Sequence, residues 1–537
     1  MFGKYSRKKK GFPFANIYFP YEAENHHTLT VGAARSGKNG PLLQYISEIR
    51  RRGNKFICHD RKGELASIFY RHGIDHIINL YDQRFEDTGW NLMREIENPH
   101  IDIPLISSSL IPDTNDAFWS NAARFVLEGI LHSAYEQNDI NNMGIWSRLS
   151  CSVGDIVKYL KNSNTYSARV ATDVLANGDT NNKMAHSVLS ILRTYSGIFE
   201  PLKNIDGQFT TKRWLGKSEG DIFLTNYAKT EKINRPLLTL FIDLAISEIL
   251  TRPNTYNRSD YIYLFLSEFN ALQKMDSLNS ALTEGAAKGL CLYTEIQDFG
   301  KTEQIYGNRL SKSIQANHGT VIIFRSRGQN ADECSRLFSK IRVKGVSKSK
   351  SSGNSGYYSN SETKSIKEQT LILPSQISNL KPHHAFIWYP GHNPVKVEWC
   401  IDNWKKYQRK HESFKIRKLE NRDPLQTDQR GDEIETTKIN DLSGEQFDVE
   451  LPEKPLENIS SNPDQEQLKM FLDECTINKD GEKVRVNELY DLFNLWCELK
   501  IKSKISQWKF YRVIKKLLKS DKIGGISYYL DIEITDF

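Results

Sequence analysis

The plainest chemistry in this chain sits in one run, Gly32-Ala33-Ala34-Arg35-Ser36-Gly37-Lys38-Asn39. An apolar stretch, Thr28–Val31, precedes it and a helix-like one, Leu42–Ile49, follows. Strand, glycine-containing loop and helix in that order suit a polyphosphate. Main-chain N–H groups and the helix N-terminus cradle the anion, the glycines allow close approach, and Lys38 supplies charge. ATP with Mg2+ is therefore the expected ligand pair. The hydroxyl that usually follows the lysine and meets the metal is replaced by Asn39. The plainer alternative is a tight turn carrying a surface lysine.

A second apolar run, Tyr261–Leu266, ends in Ser267-Glu268. Phosphoryl-transfer sites set carboxylates at such strand ends, one holding Mg2+ through water and the other ordering the attacking water. Ser267 takes the first place here. It can hydrogen-bond a hydrated cation but brings no charge, so Asn39 and Ser267 make a degenerate Mg2+ site, while Glu268 remains as candidate base. Without the loop upstream, Glu268 would read as an exposed strand-end acid. A third group lies far downstream. Lys509, Arg512, Lys515, Lys516 and Lys519 interleave with Phe510, Ile514, Leu517 and Leu518 on a helical pattern over 506–520, with Ser506 suited to the N-cap. That arrangement fits DNA phosphates, although the solvated face of an amphipathic helix has the same look.

Elements must position these groups, and 537 residues provide for several domains. The 39% hydrophobic content supports a sizeable core together with solvated segments. The net charge of +7 is blocked rather than spread: residues 499–522 carry a net +8 and residues 411–464 a net −7. Seven cysteines without a CxxC pair argue against a disulfide framework or a structural zinc and for a reducing cytoplasm. No apolar run is long enough to span a bilayer, and the N-terminus lacks the form of a signal peptide.

Strand-like runs at Thr28–Val31, Lys55–Cys58, Tyr261–Leu266 and Thr320–Phe324 alternate with helical patterns, which predicts an α/β fold with a parallel sheet. Residues 1–25 read as a basic N-terminal segment, in which Lys4, Arg7, Lys8, Lys9 and Lys10 suit a phosphate-binding arm, and 26–410 as the nucleotide-binding domain. Within the latter, 93–205 is expected to be an all-helical insertion and 345–368, rich in Ser, Gly and Asn, a mobile loop, followed by short strands at Thr370–Leu373 and Ala385–Tyr389. An acidic flexible linker is expected over 411–464. Residues 465–537 then read as three helices and a hairpin about Gly524-Gly525, a winged helix with its third helix as reader.

Taken together, the pieces resemble the TraD branch of type IV coupling proteins, RecA-like motors of conjugation and type IV secretion. The resemblance runs through HHTLTVGAARSGKN, FICHDRKGEL, IINLYDQRFEDTGWNL, DAFWSNAARFVLEGIL, GDIFLTNYAKTEKINRPLLTLFIDLAI, LFLSEFNAL, EIQDFGKTEQIYGNRLSKSIQANHGTVIIFR and CSRLFSKI, over roughly residues 26–400. It implies a RecA-like P-loop motor in a homo-hexamer, with DNA, a relaxase or other cargo, and membrane components of the secretion apparatus as partners. It also implies that Gln297 senses the γ-phosphate and that Arg325 lies at or near a subunit interface that influences hydrolysis. Three departures stand out: Asn39, Ser267 for the usual Asp, and Glu284-Gly285-Ala286-Ala287-Lys288 where an Arg is common. Members usually begin with transmembrane helices, whereas this chain reaches its loop by residue 32, so a cytoplasmic location with recruitment to the inner membrane face is expected. The tail is similar to the C-terminal domain of phage and plasmid primases. Two other readings stay open: a non-hydrolysing, nucleotide-dependent DNA-binding adaptor and a replication-associated DNA-binding protein.

Overall fold

The computed structural model describes residues 11–113, 117–176, 183–216, 220–352, 358–399 and 407–417, and in the C-terminal part 471–472, 476–485, 489, 493, 520–523 and 526–534. Two compact units divide the chain, residues 1–430 and 431–537.

The first unit is built on a nine-stranded sheet. Its strands, in chain order after an N-terminal hairpin (β1, Gly11–Phe14; β2, Ile17–Pro20), are β3 (Thr28–Val31), β4 (Lys55–Asp60), β5 (His76–Ile78), β6 (Ile222–Thr225), β7 (Ile262–Leu266), β8 (Leu290–Ile296) and β9 (Thr320–Phe324). After a second hairpin (β10, Lys340–Ser352; β11, Tyr358–Thr370) come β12 (His384–Trp388) and β13 (Val395–Glu398). The sheet order is β13-β12-β9-β3-β8-β7-β4-β6-β5, and only β12 and β13 break the parallel run. Parallel strands bring all their carboxyl ends to one edge, where open α/β sheets bind ligands.

The two faces of the sheet differ in chemistry. Along β7, Tyr263 and Phe265 turn to one core and Ile262, Leu264 and Leu266 to the other, the period of two that every strand imposes. Helix α1 (Asn39–Arg52) covers the aromatic face, and Phe12, Phe14 and Phe19 of the first hairpin pack with its Tyr45. Residues 11–20 are thus core structure, not part of a basic arm: an alternating apolar pattern of only four residues per strand is too short to outweigh the lysines before it. Lys4 to Lys10 lie outside the described residues.

Between β5 and β6 the described residues are helical, and the helices continue to Thr211–Gly216, beyond the 205 expected. Of the loop expected over 345–368, the described residues 345–352 and 358–368 belong instead to the β10–β11 hairpin, which pairs from Lys340↔Thr370 to Ser352↔Tyr358. Low hydrophobicity argues against burial, but it does not forbid backbone pairing, and Ser and Thr accept extended geometry. The strand expected at Thr370–Leu373 is the end of β11 and the approach to a short helix, Pro374–Ser378.

The linker expected over 411–464 does not hold at its described start, 411–417. Arg417 is buried, donates to the carbonyls of Leu80 and Pro201, and pairs with Glu86 at 2.6 Å. Lys410 and His411 donate main-chain N–H groups to the Ser67 carbonyl, so 407–417 is a strap on the first unit. Averaging charge over 54 residues hid that anchored end.

In the second unit a three-stranded antiparallel sheet has the order β14-β16-β15 (β14, Thr476–Arg485; β15, Ser520–Ile523; β16, Ile526–Ile534). The hairpin expected about Gly524-Gly525 is β15–β16; β14 was not anticipated. Lys509, Arg512, Lys515, Lys516 and Lys519, and the helix expected to carry them, lie outside the described residues.

Candidate nucleotide site

Gly32 to Lys38 bridge β3 and α1, so the loop lies at the carboxyl edge of the sheet between β9 and β8. Ala33 donates its N–H to the Arg325 carbonyl (2.9 Å) and Gly32 to the Ile296 carbonyl (3.2 Å), which pins the loop's first residues to both neighbouring strand ends. Gly37 has φ +107, and a β-carbon there would meet His383 at 2.7–3.0 Å. The His383 N–H binds the Ser36 carbonyl at 2.9 Å, so the loop before β12 clamps this one from outside. That contact spans far too much sequence for spacing to reveal it.

Lys38 is 6% exposed and folds back across its own loop, donating to the carbonyls of Gly32 (2.8 Å) and Ala33 (3.0 Å). The hydroxyl of Ser36 is buried without a hydrogen-bond partner. An orphaned donor beside a lysine and the first-turn N–H groups of α1 is what an incoming phosphate oxygen would satisfy. Asn39 is the first residue of α1 and donates to Glu64 at 2.9 Å, not into the loop.

Ser267 and Glu268 follow β7. The Ser267 carbonyl accepts from Nδ1 of His59 (2.6 Å); burial pushes that imidazole down to about 4, so it serves as a neutral donor. Glu268 has φ +50, in the left-handed region that few residues other than glycine adopt. Its carboxylate binds Arg61, which also pairs with Glu231 at 2.8 Å, and Lys62 at 3.0 Å. Burial raises the Glu268 pKa, but the hydrogen bonds and charges of Arg61 and Lys62 outweigh it and hold the carboxyl below its ordinary range. Asp60 orders the loop that carries those cations by accepting the N–H groups of Glu64 (3.1 Å) and Ala66 (2.7 Å), and burial pushes it up to about 6.

The residue that sequence reasoning passed over is Glu295. It lies in β8 on the same face as Cys291 and Tyr293, beneath α1, and is 3% exposed. One carboxylate oxygen is 3.5 Å from Nζ of Lys38 and the other accepts the Ser267 hydroxyl at 3.2 Å. Burial pushes its carboxyl up and the Glu268 charge adds to the push, against Lys38 and Ser267. The available signal was an acid inside an otherwise apolar strand, which is costly without a partner.

Gln297, two residues on, lines a cleft of about 180 Å3 with Arg61, Glu231, Arg235, Glu268 and Glu295. Arg325 follows β9, its main chain tied to Ala33. Thus Lys38, Ser267, Glu268, Gln297 and Arg325 all sit at one edge, with Glu295 among them, whereas Asn39 turns aside. Among the described residues no group of three or more His, Cys, Asp or Glu side chains could cage a metal. A Mg2+ ion carried on phosphate oxygens needs only one or two carboxylates, and Glu295 is one acid at this edge, beside the Ser267 hydroxyl.

Comparison with known proteins agrees with this architecture. Coupling protein TraD of Escherichia coli (strain K12) is 26% identical over 383 residues, 68% of this chain, which spans about half (51%) of that relative's length. Solved structures of the bacterial conjugative coupling protein TrwB share the fold. The unbound form aligns with TM-score 0.65 at 22% identity, covering 76% of this chain and 92% of that one. TrwB in complex with ADP and Mg2+ aligns with TM-score 0.63 at 22% identity and the same coverage. The family model of the type IV secretion-system coupling protein DNA-binding domain matches residues 12–398, and the chain belongs to that family.

Proposed function

We propose that this chain is the nucleotide-driven motor of a coupling protein, binding Mg2+–ATP at residues 32–39 and using hydrolysis to move DNA toward a conjugation or type IV secretion apparatus. The observation that carries the reading is the convergence of Lys38, Ser267, Glu268, Glu295 and Gln297 at the carboxyl edge of one parallel sheet. Bound Mg2+ would neutralise charge on the β- and γ-phosphates. Lys38 would exchange its loop carbonyls for phosphate oxygens, Ser36 would donate its free hydroxyl, Glu268 would orient water, and Gln297 would report the γ-phosphate. Arg325, with its main chain on the loop, would link that state to a neighbouring subunit of a homo-hexamer. The TrwB structures with ADP and Mg2+ and with a non-hydrolysable ATP analogue support the ligand pair.

The second unit, through Lys509, Arg512, Lys515, Lys516 and Lys519 of a winged helix, would engage DNA. A relaxase or other cargo and membrane components of the apparatus would be the further partners, placing the protein at the inner face of the membrane.

One observation favours a second reading. Glu268 is held by two cations, so a chain that binds nucleotide and DNA without turnover, an adaptor, is chemically coherent. Steady-state ATP turnover by the full chain, with and without duplex DNA, separates them. A motor shows DNA-stimulated turnover that Lys38→Ala and Glu268→Gln abolish, and an adaptor shows nucleotide binding with no turnover under any condition.

A further inference from the structure

We infer that Glu295 is the metal-side carboxylate of this nucleotide site, doing from β8 what an acid at position 267 would do from β7. The inference rests on the reading of residues 32–39 as a nucleotide loop. It begins from register. Leu266 of β7 pairs with Thr294 of β8, so the next residues, Ser267 and Glu295, are side by side. Glutamate is one methylene longer than aspartate, and its oxygen lies 3.2 Å from the Ser267 hydroxyl, within one hydrogen bond of where a side chain at position 267 ends. The charge that Ser267 lacks is therefore present, delivered from the neighbouring strand.

Its surroundings fit a cation ligand better than a plain counter-ion. Lys38 already has two carbonyl acceptors at 2.8 and 3.0 Å, and Glu295 stands farther off, at 3.5 Å. An uncompensated carboxylate buried in an apolar strand is expensive unless a positive partner arrives. When Lys38 moves to phosphate, a divalent cation riding on the same phosphates would be that partner. Ser267 then holds the carboxylate in place by donating its hydroxyl to one oxygen, a positioning role that leaves the other oxygen for the cation or its bound water.

The test is equilibrium binding of a fluorescent ATP analogue to the full chain, in EDTA and in excess Mg2+, read as the ratio of the two Kd values. The wild type should bind more tightly with Mg2+ by about tenfold or more, and Glu295→Gln should bring the ratio close to one. Ser267→Asp combined with Glu295→Gly should recover the ratio by returning the carboxylate to the first strand, and Glu295→Asp, which keeps charge but shortens reach, should give an intermediate value even if Glu295→Gln folds poorly. A ratio unchanged in Glu295→Gln overturns the inference. So does an equal shift of both Kd values, which would mark Glu295 as a counter-ion of Lys38 alone. Nucleotide binding by the wild type with no Mg2+ dependence also overturns it while sparing the nucleotide-loop reading; no binding in either EDTA or excess Mg2+ takes both down.

Discussion

Lys38 is the buried cation of the loop, Arg35 being exposed, and its present partners are the Gly32 and Ala33 carbonyls and Glu295. Charge-assisted hydrogen bonds contribute roughly 1.5–3 kcal/mol each, so Lys38→Ala should weaken ATP binding by about ten- to a hundredfold, measurable by calorimetric titration. Glu268 offers a pH test. Arg61 and Lys62 hold its carboxyl below the ordinary range against the effect of burial, so its ionised form persists to lower pH than a free glutamate's. Removing one cation raises that pKa. In Arg61→Ala the acid limb of the turnover profile should move to higher pH, and a limb that stays put would show that Glu268 does not govern it. What the sequence could reveal at this scale followed distance along the chain. Gly32 to Asn39 are contiguous and were legible from spacing. The partnership of Ser267 with Glu295 spans 28 positions and depends on which strand lies beside β7, which no local pattern states. The same holds for His383 against Gly37, whereas the turning aside of Asn39 depends on Glu64, an acid that only the packing of α1 on α2 (Glu64–Phe69) brings near.

One buried acid, together with Asn91 on Asp206 and the Phe209 N–H on the Gly89 carbonyl, stitches the helical insertion shut at its base. Glu95 accepts the indole N–H of Trp90 (2.7 Å), the N–H of Thr211 (2.9 Å) and the Thr211 hydroxyl (2.7 Å), joining the insertion's entry to its exit. Burial pushes its carboxyl up to about 7 from 4.5, against those donors. The folded state therefore keeps a proton that the unfolded chain releases, so this contribution to stability is full below about 4.5 and is lost as pH rises through about 7. In Glu95→Gln the amide oxygen can accept both N–H groups while its NH2 donates to the Thr211 hydroxyl. The variant should lose less stability than wild type between those pH values, by up to about 3 kcal/mol, in denaturant titrations at the two ends of the range. Elements were legible where burial dictates composition: β3, β7 and β9 are apolar runs and came out within a residue. The β10–β11 hairpin and the 407–417 strap were not, because main-chain pairing in the first and one buried arginine in the second hold them, and neither leaves a hydrophobic period. Arg417→Ala should cost about 1–3 kcal/mol through the unpaired carbonyls of Leu80 and Pro201, a loss visible as a lower Tm.

The order of the motifs along the chain carried the family, and the sheet explains why that order matters: β3, β7, β8 and β9, which end at Val31, Leu266, Ile296 and Phe324, present their loops to one edge although they lie far apart in sequence. Under the proposed function, the net +8 of residues 499–522 would meet DNA phosphates. Changing Lys509, Arg512, Lys515 and Lys516 to Ala in the full chain should flatten the dependence of log K for duplex DNA on log salt, by up to about 0.9 per lost phosphate contact. An unchanged slope would assign that block to a protein partner. The proposed motor must do more than bind, and displacement of a third strand from a DNA triplex by the full chain reads movement directly. The expected result is displacement that requires hydrolysable ATP and is lost in Lys38→Ala and Glu268→Gln. Binding of both ATP and DNA with no ATP-dependent displacement would contradict the motor and leave the adaptor.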